Sequence, residues 1–345
     1  MATDKITVRG AGIFGLSIAW VLTRRGAPVQ LIDPHGLAAG ASGGIVGALA
    51  PHVPENWNPK KQFQLESLLM AQSFWDEVEA AGGQSPGYAR TGRLQPIADD
   101  AALTLAHARA ETAKTLWRDA ATWTVRPTQN TDWAAHSPTG FEIHDTLSAR
   151  IHPRQACTAL AAALATQGVT VQADAPETAI TIHATGVAGL EALNAQHPRL
   201  IGTGIKGQAA LLDISAPDAP QLFADTLHII PHADGTTAIG STTERDYDDP
   251  TTTDAQLDDI ITRARAAVPA LRDAQVIARW AGLRPRSRSR APMLGAWPDR
   301  PGHFIANGGF KIGFGMAPKV AYVMADLILE GHNTIPPGFD VADSL

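Results

Sequence analysis

The strongest constraint on this chain is a glycine turn at its start. Lys5-Ile6-Thr7-Val8 is a short β-branched run, and Gly10-Ala11-Gly12-Ile13-Phe14-Gly15 follows it directly. Apolar residues then recur at helical spacing, from Ile13 and Phe14 through Leu16, Ile18 and Ala19 to Val21 and Leu22. Gly26 predicts the end of that helix. Val29-Gln30-Leu31-Ile32 predicts a second strand ending at Asp33. A GxGxxG string alone is weak, but here a strand precedes it, a helix follows it, and an acid lies 18 residues beyond the last glycine. Gly10 permits the tight turn, Gly12 lets the backbone approach a pyrophosphate, and Gly15 lets helix and strand pack closely. The helix N-terminus offers unpaired N–H groups and a positive dipole end to phosphates. Asp33 is placed to accept hydrogen bonds from a ribose hydroxyl and disfavours a 2′-phosphate, so NADP is not expected.

At 345 residues the chain predicts about two domains. A Leu- and Met-rich stretch from Lys60 to Ala80 predicts a helix. Between Gly82 and Arg150, Trp117, Trp123 and Trp133 are scattered among Pro, Thr and Asp, with an Ala-rich helix near 101–119. This reads as inserted material outside the first sheet. Pro153 to Gln167 predicts a helix, Gly168 to Val171 a strand, and Ala179 to Ala184 another strand broken by Thr185-Gly186. From Lys206 to Gly240 alternation predicts antiparallel strands at Ala209–Leu212, His228–Ile230 and Thr237–Ile239. Asp254 to Val268 reads as a helix, Val276 to Leu283 as extended, Phe304 to Ala306 as a strand, and Met316 to Glu330 as a closing helix.

Several classes are excluded. A formal net charge of -6 argues against a general nucleic-acid binder. The single cysteine, Cys157, excludes an internal disulfide. No apolar run is long enough to predict a transmembrane helix. The opening MATDK lacks the features of a signal peptide, and Arg24-Arg25 has no apolar run after it. The expected location is the cytoplasm. None of the 12 histidines stands at metal-ligand spacing, so no metal is expected.

The stretch after Asp33 separates flavin from nicotinamide. Instead of another βα unit it carries Ala41-Ser42-Gly43-Gly44 and Gly47-Ala48-Leu49-Ala50-Pro51, small residues whose backbone N–H groups can reach a flat ring and its phosphates. From here the sequence resembles the D-amino acid oxidase superfamily of FAD enzymes, especially its glycine oxidase and sarcosine oxidase branch. The marks are GAGIFG with LIDP, ASGGIVGALAPH, HATG, GIKGQAALL, HIIPHADGTTAIGSTTE, ARWAGLRP, PMLG and NGGFKIGFGMAP, in that order. One departure is the run from Gln172 to Ala179, where the family usually inserts a small β-meander.

The resemblance implies an α/β fold: a Rossmann-like FAD-binding domain with a doubly wound, mostly parallel sheet, and an α+β substrate domain with an antiparallel sheet. The expected division is 1–80, 146–203 and 276–345 for the FAD domain, and 81–145 and 204–275 for the substrate domain. FAD is expected to bind non-covalently; His52 is the only plausible tether. The implied cofactor residues begin with Gly10, Ala11, Gly12, Ile13, Phe14 and Gly15, then Asp33 and Pro34. The flavin loop adds Ala41, Ser42 and Gly43, then Gly47, Ala48 and Leu49. The HATG turn adds Thr185 and Gly186, and the GLRP strand adds Gly282 and Arg284. The last turn adds Gly308, Gly309, Phe310, Lys311, Ile312 and Gly313, whose helix dipole would stabilise negative charge on reduced flavin.

The implied chemistry is oxidation of a C–N bond, by hydride transfer from the α-carbon of a small amino acid or N-alkyl amino acid to flavin N5. Dioxygen or another acceptor would reoxidise the flavin. The flavin carries the hard step and protein supplies orientation. Arg284 matches the family's carboxylate arginine. Lys311 stands where glycine oxidases carry a second arginine, and His228 where they place a substrate-facing tyrosine. The run from Arg284 to Arg290 has four arginines, at 284, 286, 288 and 290. Three readings of it stay open: a solvated loop, an anionic or dicarboxylate substrate, or RNA. The last draws on a further resemblance, to the FAD domain that trims carboxymethylaminomethyl-uridine in transfer RNA. A flavin subunit of a larger dehydrogenase is the other alternative. A homo-oligomer is compatible with all of these.

Overall fold

The computed structural model describes residues 4–345. Met1, Ala2 and Thr3, part of the stretch read above as no signal peptide, lie outside the described residues. In chain order the first half contains β1 (Ile6–Arg9), α1 (Ile13–Arg24), β2 (Val29–Ile32), β3 (Ala48–Leu49), α2 (Pro59–Gly82), β4 (Arg93–Pro96), α3 (Asp100–Trp117), β5 (Trp123–Pro127), β6 (Phe141–Asp145), β7 (Ala149–Arg150) and α4 (Pro153–Thr166). The second half contains β8 (Val171–Gln172), β9 (Ile180–His183), α5 (Gly186–Asn194), β10 (Gly202–Asp213), β11 (Gln221–Ala224), β12 (Leu227–Pro231) and β13 (Thr237–Gly240). It closes with α6 (Ala255–Ala267), β14 (Gln275–Ser287), β15 (Met293–Ala296), β16 (His303–Asn307) and α7 (Gly313–Glu330).

The first sheet has the order β15-β16-β9-β1-β2-β8 and is parallel except for the β15–β16 pair. Ile6 of β1 faces Val29 of β2 and Ile180 of β9, which centres the glycine turn in the sheet. Helix α1 is buried along its whole length from Ile13 to Leu22. A helix apolar all round needs cover on every side, and here it shares one core with α2, α4 and α7. Caps fix the ends of these helices. Asn58 accepts from the Lys61 N–H at the start of α2, Pro59 takes the first helical position, and Gly83 ends it at φ +64°.

The second sheet has the order β14-β10-β13-β12-β11-β4-β6-β5 and is antiparallel except where β11 meets β4. Helix α6 covers one face of it with Leu257, Ile260, Ile261 and Ala264, packed on Ala210, Leu212, Ile229 and Ile239. The result is a mixed α/β protein with one mostly parallel and one antiparallel sheet. No helix among the described residues is long and apolar enough to cross a membrane.

Three expectations shift. The segment Gly168–Val171 was expected as a strand, but Gly168 has φ +78° and closes α4 with an N–H bond to Ala165, so strand β8 starts only at Val171. The closing helix begins at Gly313, three residues before Met316, because the Met316 N–H already bonds Ile312. Strand β14 was assigned with the FAD-binding pieces. Its hydrogen bonds run along β10 from Gly202↔Ser287 to Asp213↔Gln275, so it belongs to the antiparallel sheet.

Candidate active site

A cavity of about 1400 Å³ lies between the two sheets. Single-ligand pockets run to about 1,000 Å³, so this one has room for a dinucleotide and a substrate together. Three helix N-termini open onto it. Gly12, Ile13 and Phe14 come from α1, Thr185 to Gly189 from α5, and Gly309 to Phe314 from the turn into α7. None of the three helices has an acid in its first turn. Their dipoles therefore present uncompensated positive ends to whatever anion enters.

The glycine turn is built for close approach. A Cβ on Gly10, which has φ +106°, would lie 2.3 Å from the Ala184 carbonyl oxygen, and one on Gly12 would lie 3.1 Å from Ser42 Oγ. Ser42 Oγ accepts the Ile13 N–H at 2.9 Å and so braces the start of α1. Asp33 accepts the Ala11 N–H on Oδ2 at 2.8 Å and the His35 N–H on Oδ1 at 2.9 Å. Each oxygen keeps a further lone pair, and Asp33 lines the cavity. These features fit FAD: the N-terminus of α1 would hold its pyrophosphate and Asp33 would accept from its ribose.

Of the cofactor residues expected from sequence, Gly10, Gly12, Ile13, Phe14, Asp33 and Pro34 line the cavity. So do Ala41, Ser42, Ala48, Thr185, Gly186 and Gly282. Gly309, Phe310, Lys311, Ile312 and Gly313 complete that wall with Arg284 and His228. Six do not line it, and each is buried or packs closely against other parts of the chain. Ala11 is fully buried and Leu49 is 1% exposed. A Cβ on Gly15 would fall 1.8 Å from the Gly10 carbonyl oxygen, and one on Gly47 1.7 Å from that of Ile151. One on Gly43 would fall 2.5 Å from the Ala38 carbonyl oxygen, and one on Gly308 2.9 Å from Ser287 Cβ.

The substrate end is cationic. Arg284 is 8% exposed and its guanidinium lies across Gly207, where a Cβ would come within 1.6 Å of Nη2. It donates to Ser241 Oγ at 2.7 Å and to the Thr242 carbonyl at 3.3 Å. Burial lowers its pKa to about 10, against the opposing pull of Glu244. Lys311 Nζ donates to Thr243 Oγ1 at 2.7 Å. Burial, and then the charge of Arg284, lower its pKa. Neither cation has a carboxylate within salt-bridge reach among the described residues. His228 packs against Phe223 with ring centroids 4.8 Å apart, and its Nδ1 has no partner among the described residues. Burial first, then the charges of Arg93 and Lys311, lower its pKa to about 3, so it is a neutral imidazole.

Beneath the arginine lies a buried polar network that sequence reading missed. Lys206, 2% exposed, sits 3.6 Å from Glu244 and 3.4 Å from Asp254. Gln208 Nε2 donates to Glu244 at 3.1 Å and to Asp254 at 2.9 Å. Thr242, whose carbonyl holds Arg284, donates through Oγ1 to the same glutamate. Trp280 also lines the cavity and folds across Gly282, where a Cβ would meet its ring at 2.5 Å. His52 lines the cavity too; its N–H donates to Gln64 Oε1 at 2.7 Å, and burial, offset in part by that glutamine, lowers its imidazole pKa.

The remaining arginines of the run differ: Arg286 is half-buried, while Arg288 and Arg290 are exposed and the Arg290 guanidinium bonds no described protein atom. Arg286 lies over the Phe310 ring, with 5.7 Å to the centroid. Arg288 bonds the Leu345 carbonyl at 3.1 Å, and the Arg290 carbonyl accepts from Lys60. At the far end of the cavity, Glu177, His183 and His303 each bring a ligand atom within 4.8 Å of the others. Histidine spacing in the sequence gave no sign of this grouping. Arg9 and Arg300 lie 3.1 and 3.7 Å from Glu177, so that carboxylate is already paired.

A parallel sheet with a glycine cradle, roofed by an antiparallel sheet that carries Arg284, with Lys311 on the turn into α7, defines a dinucleotide-dependent redox protein. The chain belongs to the DAO family of FAD-dependent oxidoreductases, whose family model matches residues 5–327. Glycine oxidase of Pseudomonas aeruginosa is 34% identical over 134 residues, 39% of this chain and 37% of that relative. The bifunctional protein ThiO/ThiG of Nostoc sp. is 25% identical over 360 residues, 95% of this chain and 53% of that relative. The chain thus spans about two fifths to about half the length of these curated relatives. The crystal structure of glycine oxidase from Geobacillus kaustophilus superposes with a TM-score of 0.83 at 18% identity, covering 98% of this chain and 99% of that one.

Proposed function

We propose that this chain oxidises the C–N bond of a small amino acid or N-alkyl amino acid. The observation that carries the reading is the pair Arg284 and Lys311: two cations on one cavity wall, hydrogen-bonded only to neutral groups. Arg284 is buried with no carboxylate in salt-bridge reach, which is costly, and a substrate carboxylate supplies the missing charge beside the exposed Lys311. Bound FAD supplies the hydride acceptor. Arg284 offers the carboxylate a fork and Lys311 a point charge. Together they fix the α-carbon, which is the positioning part of catalysis. His228, neutral and facing the same space, offers the substrate amine a nitrogen lone pair or an N–H. The antiparallel sheet, now including β14, is the substrate half, and the parallel sheet is the FAD half. The site of action is the cytoplasm, and dioxygen or another oxidant takes the electrons.

Anaerobic mixing with a panel of amino acids and N-methyl amino acids tests this. A substrate should bleach the visible flavin band. Arg284→Met and Lys311→Met should each retain FAD and lose about 2–5 kcal/mol of transition-state binding, roughly 30- to several-thousand-fold in kcat/KM. The losses should be less than additive, because both side chains share one partner. A panel in which no amino acid bleaches the flavin, or an Arg284→Met protein of undiminished efficiency, would overturn the reading.

A further inference from the structure

Three arginines that line the cavity are left unused by that reading, and two of them, Arg9 and Arg300, pair with Glu177. Arg93, the first residue of β4, is 7% exposed and lines the same cavity as Arg284 and Lys311. Its Nε donates to Asp145 Oδ2 at 2.9 Å, across the β4–β6 ladder where the two residues are register partners. Asp145 is fully buried, and its other oxygen takes the Ser148 N–H at 2.8 Å. The carboxylate therefore grips one edge of the guanidinium. Neither Nη group bonds a described protein atom, and neither is sealed from the cavity. A guanidinium has five N–H donors, so four of them remain unclaimed.

The cations stand in a sequence around the substrate space. Arg93 faces Gln221 of β11, and Phe223, two residues along that strand, faces His228 of β12. His228 feels the charges of both Arg93 and Lys311, and Lys311 feels that of Arg284. The strand order β14-β10-β13-β12-β11-β4 sets Arg284 on β14 and Arg93 on β4, with His228 on β12 between them. One substrate carboxylate answers Arg284 and Lys311. Nothing among the described residues bonds the open edge of Arg93.

We propose that Arg93 is a specificity-determining residue that receives a second anionic group, so that the preferred substrate is an amino acid or N-alkyl amino acid bearing two carboxylates. This rests on the carboxylate reading of Arg284 and Lys311. The first carboxylate docks on that pair, and the second lies beyond His228 on the free Nη edge of Arg93. A charge-assisted, bidentate contact of that kind discriminates strongly, because a monocarboxylate leaves the guanidinium edge unmatched.

The test uses the FAD-loaded enzyme and compares flavin reduction by glycine, N-methylglycine, N-carboxymethylglycine and both enantiomers of aspartate. The expected result is a kcat/KM for one dicarboxylate at least ~30-fold above the monocarboxylates. The N-carboxymethyl and aspartate arms tell whether the second group rides on nitrogen or on carbon. Arg93→Met should collapse the ratio toward one. Because methionine leaves Asp145 buried and unpaired, Arg93→Met/Asp145→Asn is run beside it. The unmodified protein is also titrated with malonate and acetate, read by the shift of the flavin spectrum. Malonate should bind at least ~10-fold more tightly, and both variants should lose that gap. Monocarboxylates that match every dicarboxylate, or a ratio unchanged in both variants, would overturn the assignment. If no amino acid reduces the flavin, the proposed function fails, and the malonate–acetate gap alone decides the role of Arg93.

Discussion

A methyl group on residue 207 would come within 1.6 Å of Arg284 Nη2 and 2.2 Å of its Cζ. The atoms that would clash are the far end of a side chain, not backbone. The fold can therefore absorb an alanine there by expelling the guanidinium from its seat beside Ser241 and Thr242. Gly207→Ala should leave the urea midpoint and the FAD content close to unchanged. It should lower kcat/KM for a carboxylate substrate toward that of Arg284→Met, by roughly 30- to several-thousand-fold, the equivalent of about 2–5 kcal/mol for a charge left unmatched. Steady-state kinetics and flavin content measured on one preparation check this. Full efficiency with a small substrate would show that the guanidinium works equally well from another position. The prediction is specific because a merely structural Arg284 would show its loss in stability, not in KM.

At the scale of elements, the same kind of contact has the opposite consequence. A Cβ on Gly15 would meet the Gly10 carbonyl oxygen at 1.8 Å and its carbon at 3.0 Å, and Gly10 is backbone held by its N–H bond to the Ile32 carbonyl of β2. Helix α1 would have to lift off β1, and its N-terminus would move with it. Gly15→Ala should cost about 1–3 kcal/mol of stability and should weaken FAD binding, read by urea denaturation and by FAD titration of the apo-protein. Retained affinity beside lowered stability would mean the phosphates do not depend on where α1 sits. This half of the molecule was legible in the sequence because its signals are local: a strand, three glycines at fixed offsets, a helical period and an acid. The roof was legible only in part. Alternation marked β10, β12 and β13, but nothing near Arg93 announces that β4 will join β11 in parallel and β6 in antiparallel fashion. The partner that orients Arg93 lies 52 residues along the chain, so its place in the site stays invisible until the sheet is assembled. The Lys206–Glu244–Asp254 network is hidden for the same reason, since 46 residues separate Gln208 from Asp254.

At the scale of the whole molecule, the two sheets enclose a cavity whose surroundings hold imidazoles in their neutral form. His232 is fully buried, donates from Nε2 to the Ile45 carbonyl at 2.9 Å, and packs on His152 with ring centroids 4.6 Å apart. Burial first, then the neighbouring His152, lower its pKa to about 4, with the Ile45 bond and Asp234 opposing. In the unfolded chain a histidine titrates near 6.5. The unfolded state therefore binds more protons than the folded one across the interval between those values. Stability is fully present above about pH 6.5 and is lost as pH falls toward 4. At pH 5 the loss from His232 should be about 2 kcal/mol. Carboxylates whose pKa is held below the usual range, such as Asp234, titrate lower and add little at that pH. Urea denaturation at pH 7 and pH 5, at one saturating FAD concentration, measures the slope. His232→Gln keeps an N–H for Ile45 and removes the titration, so its loss between the two pH values should be smaller by about 2 kcal/mol. Parallel slopes for the two proteins would mean that His232 is protonated in the folded state, and that the acid sensitivity of the fold lies in other groups.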